Sequence, residues 1–471
     1  MSTKLGLFLL PVALALTTAT QLRMHIFPLG PGETLLGVWL IFAAYGLRKE
    51  RLSPFATECS MVFISYWLVS GIALALGSLF GASLDVWNPR AALHDALAYC
   101  LVMLLCLSLV LSPYSPAALR RLTRNVALAI TLPIFVLWLY AQVTQGLGIV
   151  NFWYGLRYAG WAVNPNQAAL LLLMAPFLAF HHIETSGGGM ANNRQLGWSL
   201  LACAALTAGW STDSGGLRLA WTVCIGLLAA GIMWRVKMGR TGAKGLLSAL
   251  LLALLLAGML HRAAETGPVR ITQIEKVNLA IAADRQALNL PGAREVSGHV
   301  GGLEVGGQAL NLPGAREVFD TQLPAITSVE QVYYQGDDEL AVRATLAVNG
   351  LKAIFLSHLI GYGPGCYSGL ERPLEGSEAH NTLVDWGTNA GVIGMVAMIL
   401  LIVWLAHGLW RAGYFSLLAG LAALVVFSQF HHVLRHPIVW AYLALVGRLA
   451  TEAMPLRSHF FRFAHAPSIA R

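Results

Sequence analysis

Gly361-Tyr-Gly-Pro-Gly365, Ser377-Glu-Ala-His-Asn381 and the apolar run from Thr382 to Leu409 together set the architecture. The run carries one full charge, Asp385, and exceeds the roughly 20 residues a spanning α-helix needs. A polar, glycine-rich segment therefore delivers a histidine to the mouth of a membrane helix. Imidazole is the side chain whose ordinary pKa lies near neutral pH.

Similar apolar stretches recur at about 5–20, 30–47, 60–82, 94–112, 124–145, 162–182, 196–212, 217–234, 245–260, 413–431 and 437–452. With 382–409 they make about twelve spans, the pattern of an all-α integral membrane protein. The composition agrees. The 471 residues are 56% hydrophobic and 11% charged, where a soluble domain holds about 25% charged residues. The mean hydropathy is +0.63. Lys4 followed by Leu5–Leu16 has the form of a signal peptide, but the many later spans favour an uncleaved first helix.

Lys and Arg set the orientation. With the N-terminus cytoplasmic and sides alternating, the cytoplasmic side receives seventeen, among them Arg48, Lys49, Arg120, Arg121, Lys237 and Arg411. The opposite short loops receive five: Arg23, Arg90, Arg157, Arg218 and Arg435. The net charge of +8 thus expresses membrane topology. With no basic patch interleaved with aromatics in a soluble domain, nucleic acid is excluded as a partner and the lipid bilayer is expected.

The chain divides into spans 1–9 (1–260), one large outer, periplasmic loop (261–381), and spans 10–12 with a cytoplasmic tail (382–471). Within the loop, 346–360 is apolar but short and carries Lys352 and His358, which reads as an amphipathic helix at the interface. Gln286–Val296 recurs unchanged as Gln308–Val318, two copies being too few for a solenoid. Of six cysteines only Cys366 lies in the outer loop, so no disulfide forms within it. No cysteine spacing matches a metal site, and none is expected.

The unusual polar residues fall on one face of this topology: Arg157, Asn164-Pro-Asn166, Ser211-Thr-Asp-Ser-Gly-Gly216 with Arg218, Arg343, His380-Asn381, and His431, His432, Arg435 and His436. Ionisable groups at membrane depth are costly and mark substrate paths. Arginine forks suit phosphate oxygens. Each residue also has a plain structural reading. Arginines anchor helix ends, Asn164 caps a helix, and the glycines make a tight turn. Co-location raises the functional reading.

The order of these motifs resembles the O-antigen ligase and polymerase superfamily of bacterial envelope glycan transferases. It comprises Asn-Pro-Asn at a helix start, a Ser/Gly-rich helix start with Arg, an outer-loop Arg, Gly-x-Gly-x-Gly, and Glu-x-His-Asn before Gly391-Val-Ile-Gly394. The resemblance covers roughly 150–410. It implies a helical bundle with a periplasmic loop over the active site. The donor would be an undecaprenyl-diphosphate-linked glycan, and the acceptor a hydroxyl of lipid A-core or of another glycan. No nucleotide sugar, cofactor or, for the ligases, metal is implied.

Carried onto this chain, the family arginine falls on Arg343 and its histidine on His380. The second family arginine directly follows a serine. Here Ser214 is followed by two glycines and a leucine, and Arg218 stands in its place, nearly one turn along. The resemblance then makes His380 the proton acceptor. Arg343, with Arg218 or Arg157, is the diphosphate clamp. Asn164, Asn166, Gly363, Gly365, Glu378 and Asn381 line the substrate. Tyr333, Tyr334, Trp153 and Trp386 are candidates for stacking on sugar rings. Ligase-like transfer is the leading expectation, a repeat-unit polymerase the alternative. A secondary transporter of an organic anion is the competing class, disfavoured by the lack of internal helix repeats.

Overall fold

The computed structural model describes residues 3–23, 29–47, 54–86, 88–186, 192–239, 242–266 and 337–453. The duplicated 286–296 and 308–318 segments, and Tyr333 and Tyr334, lie outside them.

Every one of the twelve apolar stretches is helical. In chain order the helices are α1 (Thr3–Leu16), α2 (Pro31–Leu47), α3 (Pro54–Ser83), α4 (Pro89–Val110), α5 (Pro116–Ala141), α6 (Pro165–Leu173), α7 (Ala175–Glu184), α8 (Asn192–Trp210), α9 (Gly215–Lys237), α10 (Ala243–Glu265), α11 (Asp337–Leu356), α12 (Thr382–Ala412), α13 (Phe415–Phe427) and α14 (Pro437–Ala453). Two small antiparallel hairpins, β1–β2 (Gly146–Leu147, Val150–Asn151) and β3–β4 (Trp153–Tyr154, Arg157–Tyr158), follow α5.

Local chemistry starts the helices. A capping side chain followed by proline opens α4 (Asn88-Pro89), α5 (Ser115-Pro116) and α6 (Asn164-Pro165), where the cap accepts from first-turn amides and proline surrenders a donor that would be orphaned. One predicted span is two helices, because α6 breaks at Met174 before Pro176 and resumes as α7.

Seven helical segments are long and apolar enough to cross a membrane, counting α6–α7 as one; Leu5–Leu16 and Phe415–Phe427 are shorter apolar helices. The α6–α7 segment is the most deeply buried of the seven, with α8 and α13 packed on it. Large apolar side chains point outward on the peripheral helices, Leu79 being 71%, Leu255 63% and Leu400 63% exposed. A soluble monomer does not carry that much apolar surface. The protein is a multi-pass helical membrane protein. The seven such segments do not by themselves establish the expected twelve spans. α14 carries the buried pair Arg448–Glu452, with Arg448 also donating to the carbonyls of Val110, Ser112 and Tyr114. These bonds knit the end of the bundle where α4 stops and α5 begins. The 346–360 segment is helical as far as Leu356, as the second half of α11, which packs on α12.

Candidate functional site

A break in α12 organises the opposite end. Gly391 has φ 63° and ψ −169°, a backbone that only glycine adopts without strain. The break frees backbone groups, and the 359–363 loop takes them up. Tyr362 N donates to Thr388 O at 2.8 Å, Gly363 N to Asn389 O at 3.0 Å, and Val392 N to Leu359 O at 2.9 Å. Non-helical backbone at membrane depth survives only when satisfied in this way.

The Gly361–Gly365 glycines serve the same seam. All three odd positions have positive φ. A Cβ on Gly361 would lie 2.6 Å from Gly391 N, on Gly363 2.7 Å from Ser78 Cα, and on Gly365 2.6 Å from Ala92 N. The close approach they permit is to α12, α3 and α4. Gly365 also lines a cleft described below.

His380 follows this loop with φ 53°, left-handed for a non-glycine residue, and is exposed. Strained backbone of this kind concentrates at functional sites. Asn381 caps α12, accepting from Leu383 N and Val384 N, and its amide donates to Gln429 Oε1 at 3.2 Å. The carboxylate of Asp385, one turn on, accepts from Ala379 N at 2.7 Å and holds the backbone beside His380. Its other oxygen faces His432 Nδ1 at 3.8 Å, both groups being fully buried.

His431 is the hub of the next layer. Burial pushes its imidazole down to about 3, and the guanidiniums of Arg343 and Arg157 act in the same direction. Arg343 Nη1 stands 3.5 Å from Phe430 O. Arg157 donates to Thr212 O at 3.1 Å and to Asn166 Oδ1 at 2.9 Å, which ties the β4 hairpin to both the 211–214 turn and the start of α6. Asn164 caps that start by accepting from Asn166 N. The N-terminus of α9 closes the layer: a Cβ on Gly216 would come within 3.3 Å of His431 Nε2. Ser214 Oγ, just before α9, is buried without a hydrogen-bond partner among the described residues. An orphan hydroxyl beside free first-turn amides is a place for an anion.

Arg218 stands apart in character. It forms an ion pair with Asp213, and its guanidinium sits 5.3 Å from the centre of the Trp210 ring. Asp213 itself has φ 52°. Trp386 is fully buried with Tyr99 edge-on, and Trp153 is buried with Nε1 donating to Ala141 O, so neither presents an open face to a sugar.

Beside this cation-rich layer lies a cleft of about 590 Å³ between the start of α4 and the 365–378 loop. Arg435 reaches across its wall to Asp95 at 2.6 Å and to Glu378. Tyr367 donates its hydroxyl to Asp95, and its ring centre is 5.6 Å from the Arg435 guanidinium. His432 sits behind the wall, its Nε2 3.3 Å from Tyr99 Oη, and burial pushes it down to about 4. Sequence reasoning missed His94, Asp95 and Tyr367. The available signal was an acid inside the apolar run of α4, a placement that is rarely idle. Among the described residues no three His, Cys, Asp or Glu side chains converge closely enough to hold a metal ion.

The fold and this polar end define a helical multi-pass membrane protein with a cation-rich layer and an acid-lined cleft at one end. No protein-family model matches the chain, and no curated protein matches it in sequence.

Proposed function

We propose that the protein is a membrane glycan transferase. It moves a glycan from an undecaprenyl diphosphate carrier to an acceptor hydroxyl at the periplasmic face of the bacterial inner membrane, in the manner of an O-antigen ligase. The observation that carries the reading is that two arginines reach the start of α9: Arg343 Nη1 stands 3.5 Å from Phe430 O, Phe430 and His431 pack on Gly216, and Arg157 donates to Thr212 O just before α9, with His380 in the neighbouring loop. Three groups from separate elements, two of them permanent cations, suit a diphosphate better than any neutral ligand.

In this reading the diphosphate lies across Arg343 and Arg157, with the α9 amides and Ser214 Oγ taking further oxygens. Charge grows on the leaving diphosphate as its bond to the anomeric carbon stretches, and fixed cations stabilise it there. His380 accepts the proton of the attacking hydroxyl, and inversion follows from attack opposite the leaving group. Arg218, held by Asp213, is a positioning residue for the 211–214 turn.

The test is surface-glycan gel analysis in a deletion strain complemented with wild type, His380→Ala or Arg343→Ala at matched protein levels. Loss of long glycan with either substitution is the expected result. Full-length chains stranded on undecaprenyl diphosphate identify a ligase, single repeat units a polymerase. Normal glycan in both variants overturns the reading and favours transport of an organic anion.

A further inference from the structure

The cleft beside the cation-rich layer has the opposite electrostatic character, and the proposed transfer does not account for it. Its volume of about 590 Å³ falls in the range of small-molecule sites. Its lining includes Asn88, His94 and Tyr367 and, among charged groups, Asp95, Glu375, Glu378 and Arg435, three carboxylates against one guanidinium. That guanidinium is committed, since Arg435 spans Asp95 and Glu378 and stacks near Tyr367. A phosphate entering here would face net negative charge and would have to break both pairs to reach the cation.

Hydroxyl groups meet no such barrier. Carboxylate oxygens are acceptors only, and sugar hydroxyls or an amino-sugar ammonium are donors. Glu375 is exposed, and the side chain of His94 is 67% exposed while its Nδ1 lies 3.1 Å from Asp95. Both present polar atoms to the opening. The acids are spread along the wall and do not converge on one point, which suits an extended polyol better than a cation. Glu378 in the wall stands two residues before His380, the proposed base, so the cleft adjoins the loop that carries it.

We propose that this cleft is the acceptor subsite and takes a hydroxylated sugar that is uncharged or amino-bearing, excluding phosphorylated and acidic sugars. The proposal rests on the glycan-transfer reading for the word acceptor, but the sugar-binding cleft is testable alone.

The experiment uses full-length protein in nanodiscs and saturation-transfer NMR with methyl glucoside and glucose 1-phosphate as probes. Undecaprenyl diphosphate binding is measured in parallel by native mass spectrometry. Wild type should transfer saturation to the glucoside. Glu375→Gln and His94→Ala, both at exposed positions, should each weaken that binding about tenfold, the order expected for one charge-assisted hydrogen bond. Neither should alter lipid diphosphate binding, which Arg343→Ala should reduce. If the lipid binds and the glucoside signal is absent or unchanged in both cleft variants, the subsite proposal fails alone. It also fails alone if glucose 1-phosphate competes for the cleft as well as the glucoside does. If the glucoside depends on the cleft but the lipid does not bind, the transfer reading fails and the sugar site stands. If neither ligand binds, both fall.

Discussion

The His431 layer and the Arg435 cleft meet at residues 378–381, yet they handle charge in opposite ways. Around His431 the guanidiniums of Arg343 and Arg157 and the burial of the ring together hold the imidazole toward its neutral form. Arg157 donates to the neutral oxygens of Thr212 and Asn166. Around Arg435 the cation is bracketed by Asp95 and Glu378. The second arrangement is settled by its own acids. The first sets arginines beside a buried imidazole, a Ser214 hydroxyl with no hydrogen-bond partner among the described residues, and a strained His380. Strained backbone held in place by a fold marks a position where function overrides stability.

The largest expected effect removes the frame both regions share. Gly391→Ala should cost about 3 kcal/mol or more, because it combines a forbidden backbone conformation with overpacking, and its Cβ would collide with Leu359 O and Ile360. Thermal unfolding in detergent should show a steep loss of folded protein, with glucoside and lipid binding lost together. Retention of one and not the other would show that the two regions do not hang on the same seam.

The charge contrast comes next. Arg435→Ala strands two carboxylates, one of them on the nearly inaccessible Asp95, and should destabilise by about 2–3 kcal/mol. Arg218→Ala breaks a pair whose side chains are 38% and 39% exposed, so after solvent screening its cost should stay below about 1 kcal/mol. Equal losses of melting temperature in the two variants would contradict the contrast.

Acid should weaken the His431 layer. The folded state holds His431 near 3, while the unfolded chain takes up a proton near the ordinary 6.5. The unfolded state therefore binds more protons between about pH 6.5 and 3, and stability falls as pH drops through that window, by up to about 1.4 kcal/mol per pH unit for one such group. His432 and His436, held low by the same burial, add slope in that direction. Melting temperatures from pH 7.5 to 4 should show it, and His431→Asn should flatten it in part.

Much of the fold was legible. The apolar runs became helices, and Asn164-Pro165 announced a helix start; α4 and α5 begin several residues before the expected 94 and 124, at the capped Asn88-Pro89 and Ser115-Pro116. Arg157, Arg343 and His380 were singled out because the expected alternation of spans puts them on one face of the membrane. Asp95 was not. Its partners Tyr367 and Arg435 are 272 and 340 residues away in sequence, and no local period reports a contact at that range. The glycines of 361–365 were visible as a motif, but their partners in α3, α4 and α12 were not.

Composition and hydropathy alone were enough to establish a helical membrane protein, because burying apolar surface and satisfying backbone hydrogen bonds are short-range demands. Which cations would be bracketed by acids and which set beside a buried imidazole depended on three-dimensional packing. The Gly391 break, the loop docked in it and the bracket around Arg435 each join segments far apart in the chain, and the energy of a buried charge is set by the neighbours that folding supplies.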